Sequence, residues 1–365
     1  MTTIRDIYQA IDGFAPFSHQ ESWDNSGLLV GNPQSWVERA AVTLDITPAV
    51  VQEAKEEGAQ LIVSHHPVLF RPAKTFLSAS VPYQLAAAGL SAICAHTSLD
   101  VAKGGVNDCL ADRLKLAGQK PFVRENRRNF KKLVVFCPHE YTDRIHFAMK
   151  EAGAGTLGDY AGCAFVSPGE GRFLPLGGAK PFLGKPGEWE RAKEDRLEMI
   201  CPPSKVEAVL SAMREAHPYE EPAFDILETA ALAQSDSVGV LGTLNAAQSP
   251  EEFAGYVGRQ LGCGGLRYVP GRRPVIRVAV LGGAGGDYLG QAVAAGADAY
   301  VTADVKHHQL LEAAEAGITL IDGGHFATED VVVEPLRQRL AEWFPAVSFY
   351  KSKVFSDPAQ YWTAK

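Results

Sequence analysis

Thiolate pairs are missing from this 365-residue sequence. Its six cysteines, Cys94, Cys109, Cys137, Cys163, Cys201 and Cys263, form no Cys-x-x-Cys pair. Such scattered positions exclude a thiolate metal knuckle, and a chain of this length does not need disulfide staples. They read as reduced core residues of a cytosolic protein. Any metal would have to be held by histidine and carboxylate. Positive charge is also scarce. Thirty-five basic residues against 43 acidic give a net charge of −8, which argues against a nucleic-acid or anionic-lipid partner. Long hydrophobic runs are absent too. Thr75 to Leu99 carries no charged residue, yet Pro82, Gln84, Gly89 and His96 interrupt it, so it reads as helix, turn and strand rather than a membrane span. Met1 to Phe17 lacks a basic region followed by an apolar run, so no targeting segment is expected. Ile4, Ile7, Tyr8 and Ile11 instead have the spacing of an amphipathic surface helix. What remains is an ordinary globular composition, 46% hydrophobic and 21% charged, which excludes disorder, collagen and coiled coil. The length predicts two or three domains.

Short apolar runs alternate with helical segments. Ala40 to Leu44 is a strand ending at Asp45; Thr47 caps a helix whose first position is Pro48, and Gly58 stops it. Leu61 to Val63 is the next strand, a helix covers about Pro82 to Ala88, and Ser91 to Ala95 is a third strand. Late in the chain the pattern returns: strand Val275 to Leu281, the turn Gly282 to Gly286, a helix, strand Ala299 to Thr302, a helix over Val305 to Ala316, and strand Ile318 to Ile321. This is α/β patterning with a parallel sheet. The runs also match each other, Gly58 to Ser64 with Gly296 to Thr302, and His96-x-x-x-Asp100 with His325-x-x-x-Glu329. Two similar α/β halves are expected, residues 1–127 and 235–365, forming one domain. Between them, residues 128–234 read as an inserted ferredoxin-like α+β module. It has a strand at Leu133 to Phe136, a helix near Asp143 to Ala152, a Gly-rich stretch from Gly153 to Gly187, strand Arg196 to Cys201, helix Ser204 to Ala216 and strand Ala223 to Leu227. Ala230 to Asp236 reads as the linker back.

Three strand ends carry chemistry. Ser64-His65-His66-Pro67 places two imidazoles beyond a strand's carboxyl end, where open α/β sheets bind ligands. His96 and Asp100 follow another strand, and His325 and Glu329, after Gly323-Gly324, lie one helical turn apart. Singly, each has a plain structural reading: a core histidine beside a surface one, an N-cap, a helix-surface ion pair. Together, six nitrogen and oxygen groups are too many for one structural zinc. They suit two ions sharing a bridging carboxylate, and without thiolate the set admits Zn, Fe, Mn or Ni.

With Ser22-Trp23-Asp24-Asn25-Ser26-Gly27-Leu28, Ser64-His65-His66-Pro67, Ser98-Leu99-Asp100, Thr302-Ala303-Asp304 and Asp322 to Glu329, the chain resembles the NIF3-like dinuclear metal-centre family, described as GTP cyclohydrolase 1 type 2 homologs. His217-Pro218-Tyr219-Glu220-Glu221-Pro222 resembles its longer members, which carry an inserted CutA/PII-like module. The resemblance implies metal ligands at His65, His66, Asp100, His325 and Glu329 for two divalent ions per subunit, Zn, Fe or Mn. It does not count His96, which is left a supporting role. It also implies a cytoplasmic homohexameric toroid. The family's Thr-Gly-Asp is here Thr302-Ala303-Asp304, which weakens inferences about backbone contacts at that turn.

Asp304, His307 and His308 follow the strand ending at Thr302 and are candidate catalytic groups, as proton donor or phosphate contact. Asp45 could orient a histidine or cap a helix, and Trp23-Asp24-Asn25 has no chemical signature of its own. Gly282 to Gly286 does not meet the dinucleotide pattern, and Gly184-Lys185-Pro186 is no phosphate loop. Arg124 to Lys132 reads as a solvated junction. The expected function is a metal-dependent hydrolase. If the family description applies, activated water opens the purine ring of GTP. Phosphoester hydrolysis and a non-catalytic metal-binding ring are the competing expectations.

Overall fold

The computed structural model describes residues 1–157 and 160–362, with side chains other than those of 124–129, 204 and 230–237. The chain divides into two units, 1–125 with 236–365, and 126–235. Among the described residues no helix is long and apolar enough to cross a membrane.

In the first unit, α1 (Ile4–Phe14) buries Ile4, Ile7 and Ile11 and is capped by Thr3 and Asp6 acting reciprocally. Then come β1 (Gly27–Val30), β2 (Arg39–Thr43), α2 (Pro48–Glu56), β3 (Leu61–Ser64), α3 (Val81–Ala87), β4 (Ser91–Cys94), α4 (Thr97–Val101), α5 (Val106–Arg113) and β5 (Ala117–Pro138), which runs into the second unit. Thr47 caps α2 with Pro48 in its first turn, as the sequence predicts, and Gly58 adopts φ +66° after it.

The second unit continues with α6 (Thr142–Glu151), β6 (Ala164–Phe173), β7 (Glu190–Cys201), α7 (Val206–Ala216) and β8 (Phe224–Gln248). This is the β-α-β-β-α-β order of a ferredoxin-like fold, with strands ordered β6-β7-β5-β8. Leu133, Val135 and Cys137 of β5 and Leu197, Met199 and Cys201 of β7 point into a core closed by Ile145, Met149, Val209 and Met213 of the two helices. The alternation along each strand produces that one buried face. β6 lies inside the Gly-rich stretch, where the sequence predicts no strand. It pairs with β7 on one side and is mostly exposed, so its residues carry no buried periodicity. β8 runs on through Ala230 to Asp236, the expected linker, whose side chains lie outside those described. The same holds for residues 124–129 of the basic stretch. Of the remainder, Lys131 pairs with Glu228, and Lys132 Nζ lies 2.8 Å from Glu198 Oε2.

The chain returns to the first unit with α8 (Pro250–Leu261), β9 (Arg267–Val269), β10 (Val275–Val280), α9 (Leu289–Ala294), β11 (Ala299–Thr302), α10 (His307–Ala316), β12 (Thr319–Asp322), α11 (His325–Glu329), α12 (Val333–Trp343) and β13 (Ser348–Lys351). Two parallel three-stranded cores result, β2-β3-β4 and β10-β11-β12, each with helices between its strands. An antiparallel edge strand flanks each, β1 on β4 and β9 on β12. The two expected halves therefore correspond strand for strand. β3, β4, β11 and β12 are buried along their whole length, which explains their continuous apolar runs. The correspondence ends at the far edges: β13 pairs parallel with β2, whereas β8 pairs antiparallel with β10. The first sheet is thus completed by a strand from the last part of the chain.

The cysteines are free, with Cys94, Cys137 and Cys201 buried and the others half-buried.

Candidate metal centre

The strand ends of both halves converge. His65 and His66 leave the end of β3 in a turn fixed from several sides. His65 N–H donates to Thr43 O and His66 N–H to Leu44 O. Cys94 Sγ donates to His65 O at 2.9 Å, and Ser64 Oγ donates to His66 O at 2.8 Å. Adjacent rings thereby face one space, with centroids 5.0 Å apart. Gly324, at φ +84°, opens α11 and places His325 and Glu329 one turn apart, with His325 Nε2 3.0 Å from Glu329 Oε2. Glu329 Oε2 also lies 2.9 Å from His66 Nε2 and 3.7 Å from His65 Nε2. Asp100 Oδ1, from α4, is 3.7 Å from His65 Nε2.

Each imidazole is held from behind. His65 Nδ1 meets Ala95 O at 2.9 Å, His66 Nδ1 meets Asp45 Oδ1 at 2.9 Å, and His325 Nδ1 meets Asp304 Oδ2 at 2.7 Å. A proton on each Nδ1 leaves Nε2 as a lone pair. The Nε2 atoms of His66 and His325 are 3.3 Å apart, and two lone pairs at that distance cannot bond each other. Either a metal ion beside them or a proton on Nε2 resolves that contact. With the rings neutral, His65 Nε2, Asp100 Oδ1 and Glu329 Oε2 are, among the described residues, buried with no hydrogen-bond partner. A desolvated polar atom without a partner is costly. Three gathered at one point fit a cation-binding cluster, and the nitrogen and oxygen donors, with no thiolate, suit borderline and hard divalent ions.

Electrostatics agree with that reading. Burial disfavours a charged ring at His66, but the carboxylates of Asp45 and Glu329 outweigh it and raise its pKa to about 10. Contact with Glu329, set against burial, lifts His325 to about 9. Burial would raise Glu329, yet the three imidazoles hold its carboxyl well below the usual range, whereas burial pushes Asp100 up. Glu329 thus supplies a strong negative field that metal-free protein balances with protons on histidine.

This constellation lies in a chain matched from residue 2 to 358 by the family model for Duf34/NIF3, NGG1p interacting factor 3. The chain belongs to that family. A Bacillus subtilis member described as GTP cyclohydrolase 1 type 2 homolog is 38% identical, covering 92% of this chain and 91% of its own. A Mycobacterium leprae member with the same description is 38% identical over 89% of this chain and 86% of its own. Among solved structures, a Bacillus cereus protein related to NIF3 superposes with a TM-score of 0.76 at 34% identity, covering 99% of both chains. The family resemblance read from the motifs therefore holds, as does the two-half α/β fold.

Several neighbours of the NIF3 cluster were not legible as such. Asp24 is fully buried as a side chain. It meets His96 Nδ1 at 2.8 Å and accepts from Thr97 N–H and Oγ1 at 3.0 and 2.6 Å. His96 therefore presents a carboxylate-oriented ring to the cluster, its centroid 5.2 Å from that of His65 and 5.4 Å from that of His66. One ligand atom each from His65, His66 and His96 lie within 4.8 Å of one another, and so do those of His66, His325 and Glu329. Asp45 orients His66, while Thr47 caps α2, which resolves the two roles open for Asp45. Asp304 reaches the cluster through His325 and takes a left-handed φ of +52°. The left-handed residue of that turn is thus Asp304 and not Ala303, so alanine sits at 303 without backbone strain. His307 and His308 stand exposed in the first turn of α10, and no described hydrogen bond or ring contact draws them into the cluster. The glycine turn after β10 has a use the dinucleotide pattern does not suggest. A Cβ on Gly283, which has φ +65°, would stand 2.1 Å from Glu329 Oε1. Asn107 ties this turn to Asp100, accepting from Gly282 N–H and donating to Asp100 O. Beside His96 stand two exposed rings, Trp23 and Phe70, with centroids 5.7 Å apart.

Proposed function

We infer that this protein is a dinuclear metal-dependent hydrolase. The observation that supports this is the convergence of three imidazoles and two carboxylates with three buried donor atoms left unpartnered. In this reading His65, His66, Asp100, His325 and Glu329 would hold two divalent ions, Zn, Fe or Mn. When bound, such ions supply Lewis acidity and a nucleophile of hydroxide strength near neutral pH. The chain's own groups do the rest. Asp45 and Asp304 keep the Nε2 lone pairs of His66 and His325 directed at the site. His96, fixed by Asp24 through Nδ1, is placed to exchange a proton through Nε2. Trp23 and Phe70 form an aromatic wall suited to a planar ring. His307 and His308, exposed at a helix N-terminus, would contact an anionic part of the substrate such as phosphate.

A planar ring bearing phosphates matches the description shared by the relatives, so GTP is the proposed substrate, with hydrolytic opening of the purine ring and release of formate. The net charge of −8 leaves the bound ions to attract such an anion. We extend the reading to a cytoplasmic homohexamer.

The test is elemental analysis of the purified protein followed by a GTP turnover assay with its native metal. Formate release that vanishes in His65→Ala and Glu329→Ala supports the reading. Full metal occupancy with no turnover of GTP or of phosphoesters sinks it and leaves a metal-binding ring.

A further inference from the structure

The unit formed by residues 126–235 contains a cavity of about 480 Å³, lined wholly from within that unit. Four aromatic residues line it: Phe136 of β5, Phe173 of β6, Phe182 in the loop to β7, and Tyr219 after α7. The rings of Phe173 and Phe182 lie 6.0 and 6.2 Å from that of Tyr219, tilted by 62° and 45°. Phe173 packs edge-on to Tyr219, and Phe182 is 47% exposed.

Four carboxylates share the lining with one guanidinium. Arg172 Nε lies 2.7 Å from Glu170 Oε1 on the same strand, so the only basic side chain of the lining is already paired. Glu194, Glu220 and Glu221 are left without a cation from within the lining. Glu194 is the deliberate one. Tyr219 donates its hydroxyl to Glu194 Oε1 at 2.8 Å, and Gly171 makes room for the other oxygen, because a Cβ there would stand 2.1 Å from Oε2. Glu220 is set in turn by the Lys180 N–H at 3.1 Å.

Aromatic faces and unpaired carboxylates attract the same class of ligand, a cation with an apolar body. An anion would be repelled by three carboxylates. A bare metal ion would gain nothing from the aromatic wall. We propose that this cavity binds a small organic cation, an alkylammonium or guanidinium compound, its charge beside Glu194 and its apolar body against Phe173, Phe182 and Tyr219. This site is independent of the metal centre and of the hydrolase reading.

The test is titration of the full chain with agmatine and with tetramethylammonium. Ligand-observed NMR reads binding, and thermal unfolding is compared with sodium chloride at matched ionic strength. Both organic cations should bind saturably and raise the unfolding temperature, and sodium should not. Phe182→Ala, in an exposed loop, should weaken both by about fivefold. Glu194→Gln should weaken agmatine by about tenfold. No saturable binding up to ~10 mM, equal binding by Phe182→Ala, or binding of divalent metal salts alone would overturn the proposal.

Discussion

His96-x-x-x-Asp100 and His325-x-x-x-Glu329 follow equivalent strands, β4 and β12, at the same spacing, yet they do different work. Each histidine is oriented through Nδ1 by an aspartate, the buried Asp24 or the exposed Asp304. The difference lies in the carboxylate. Asp100 comes within 4 Å of His65 alone, whereas Glu329, longer by one methylene, reaches His65, His66 and His325 from a 4% exposed position. A repeated scaffold thus gives two copies of one device, and side-chain length decides which copy becomes the hub.

Removing the two carboxylates tests that ranking most directly. Glu329→Ala should lower metal affinity by more than ~100-fold, and Asp100→Ala by about tenfold, read by equilibrium dialysis with elemental analysis. Equal losses would abolish the distinction. Gly283→Ala should cost about tenfold in the same assay with the fold intact, because its methyl displaces Glu329 while every ligand remains. The two orienting aspartates come next. Asp304→Asn should cost about tenfold in metal affinity, whereas Asp24→Asn should stay within about threefold, since His96 stands outside the five proposed ligands. A large loss in Asp24→Asn would make His96 a ligand and the two copies more alike.

Protons offer a comparison without mutation. In the metal-free site His66 and His325 have pKa values raised to about 10 and about 9, so both are protonated at pH 7. Metal uptake must displace these protons. Calorimetry in buffers of different ionisation enthalpy should show about two protons released at pH 7, and affinity should rise with pH until about pH 10 and then level off. The smallest effect concerns the scaffold. Tyr300 of β11 corresponds to Ile62 of β3 and donates its hydroxyl to Gly285 O at 2.7 Å inside the core. Tyr300→Phe should lower unfolding free energy by about 1 kcal/mol in urea melts.

Buried parallel strands were legible because both of their faces are covered, which leaves continuous apolar runs such as Leu61-Ile62-Val63. Their helices were legible through Thr47, Pro48 and the glycines that end them. The histidines announced themselves by sitting just past those strands. Edge strands β1, β6 and β9 were not legible, since a strand paired on one side and half-exposed has a weak pattern. Asp24 was silent for another reason. Its meaning lies in His96 and Thr97, more than seventy positions away, and no local spacing encodes that contact. The same holds for Gly283, whose missing side chain matters only because Glu329 lies against it.

The pairing of β13 with β2 has a consequence for synthesis on the ribosome. Ser348 lies opposite Arg39, so the sheet that presents His65 and His66 keeps an open edge beside β2 until β13 has emerged. The inserted unit, with its own core, can close while that edge still waits. The polypeptide is therefore threaded such that β2-α2-β3 is sealed only after the inserted unit and the second parallel core have been made, and the nascent chain must shield an unpaired strand in that interval.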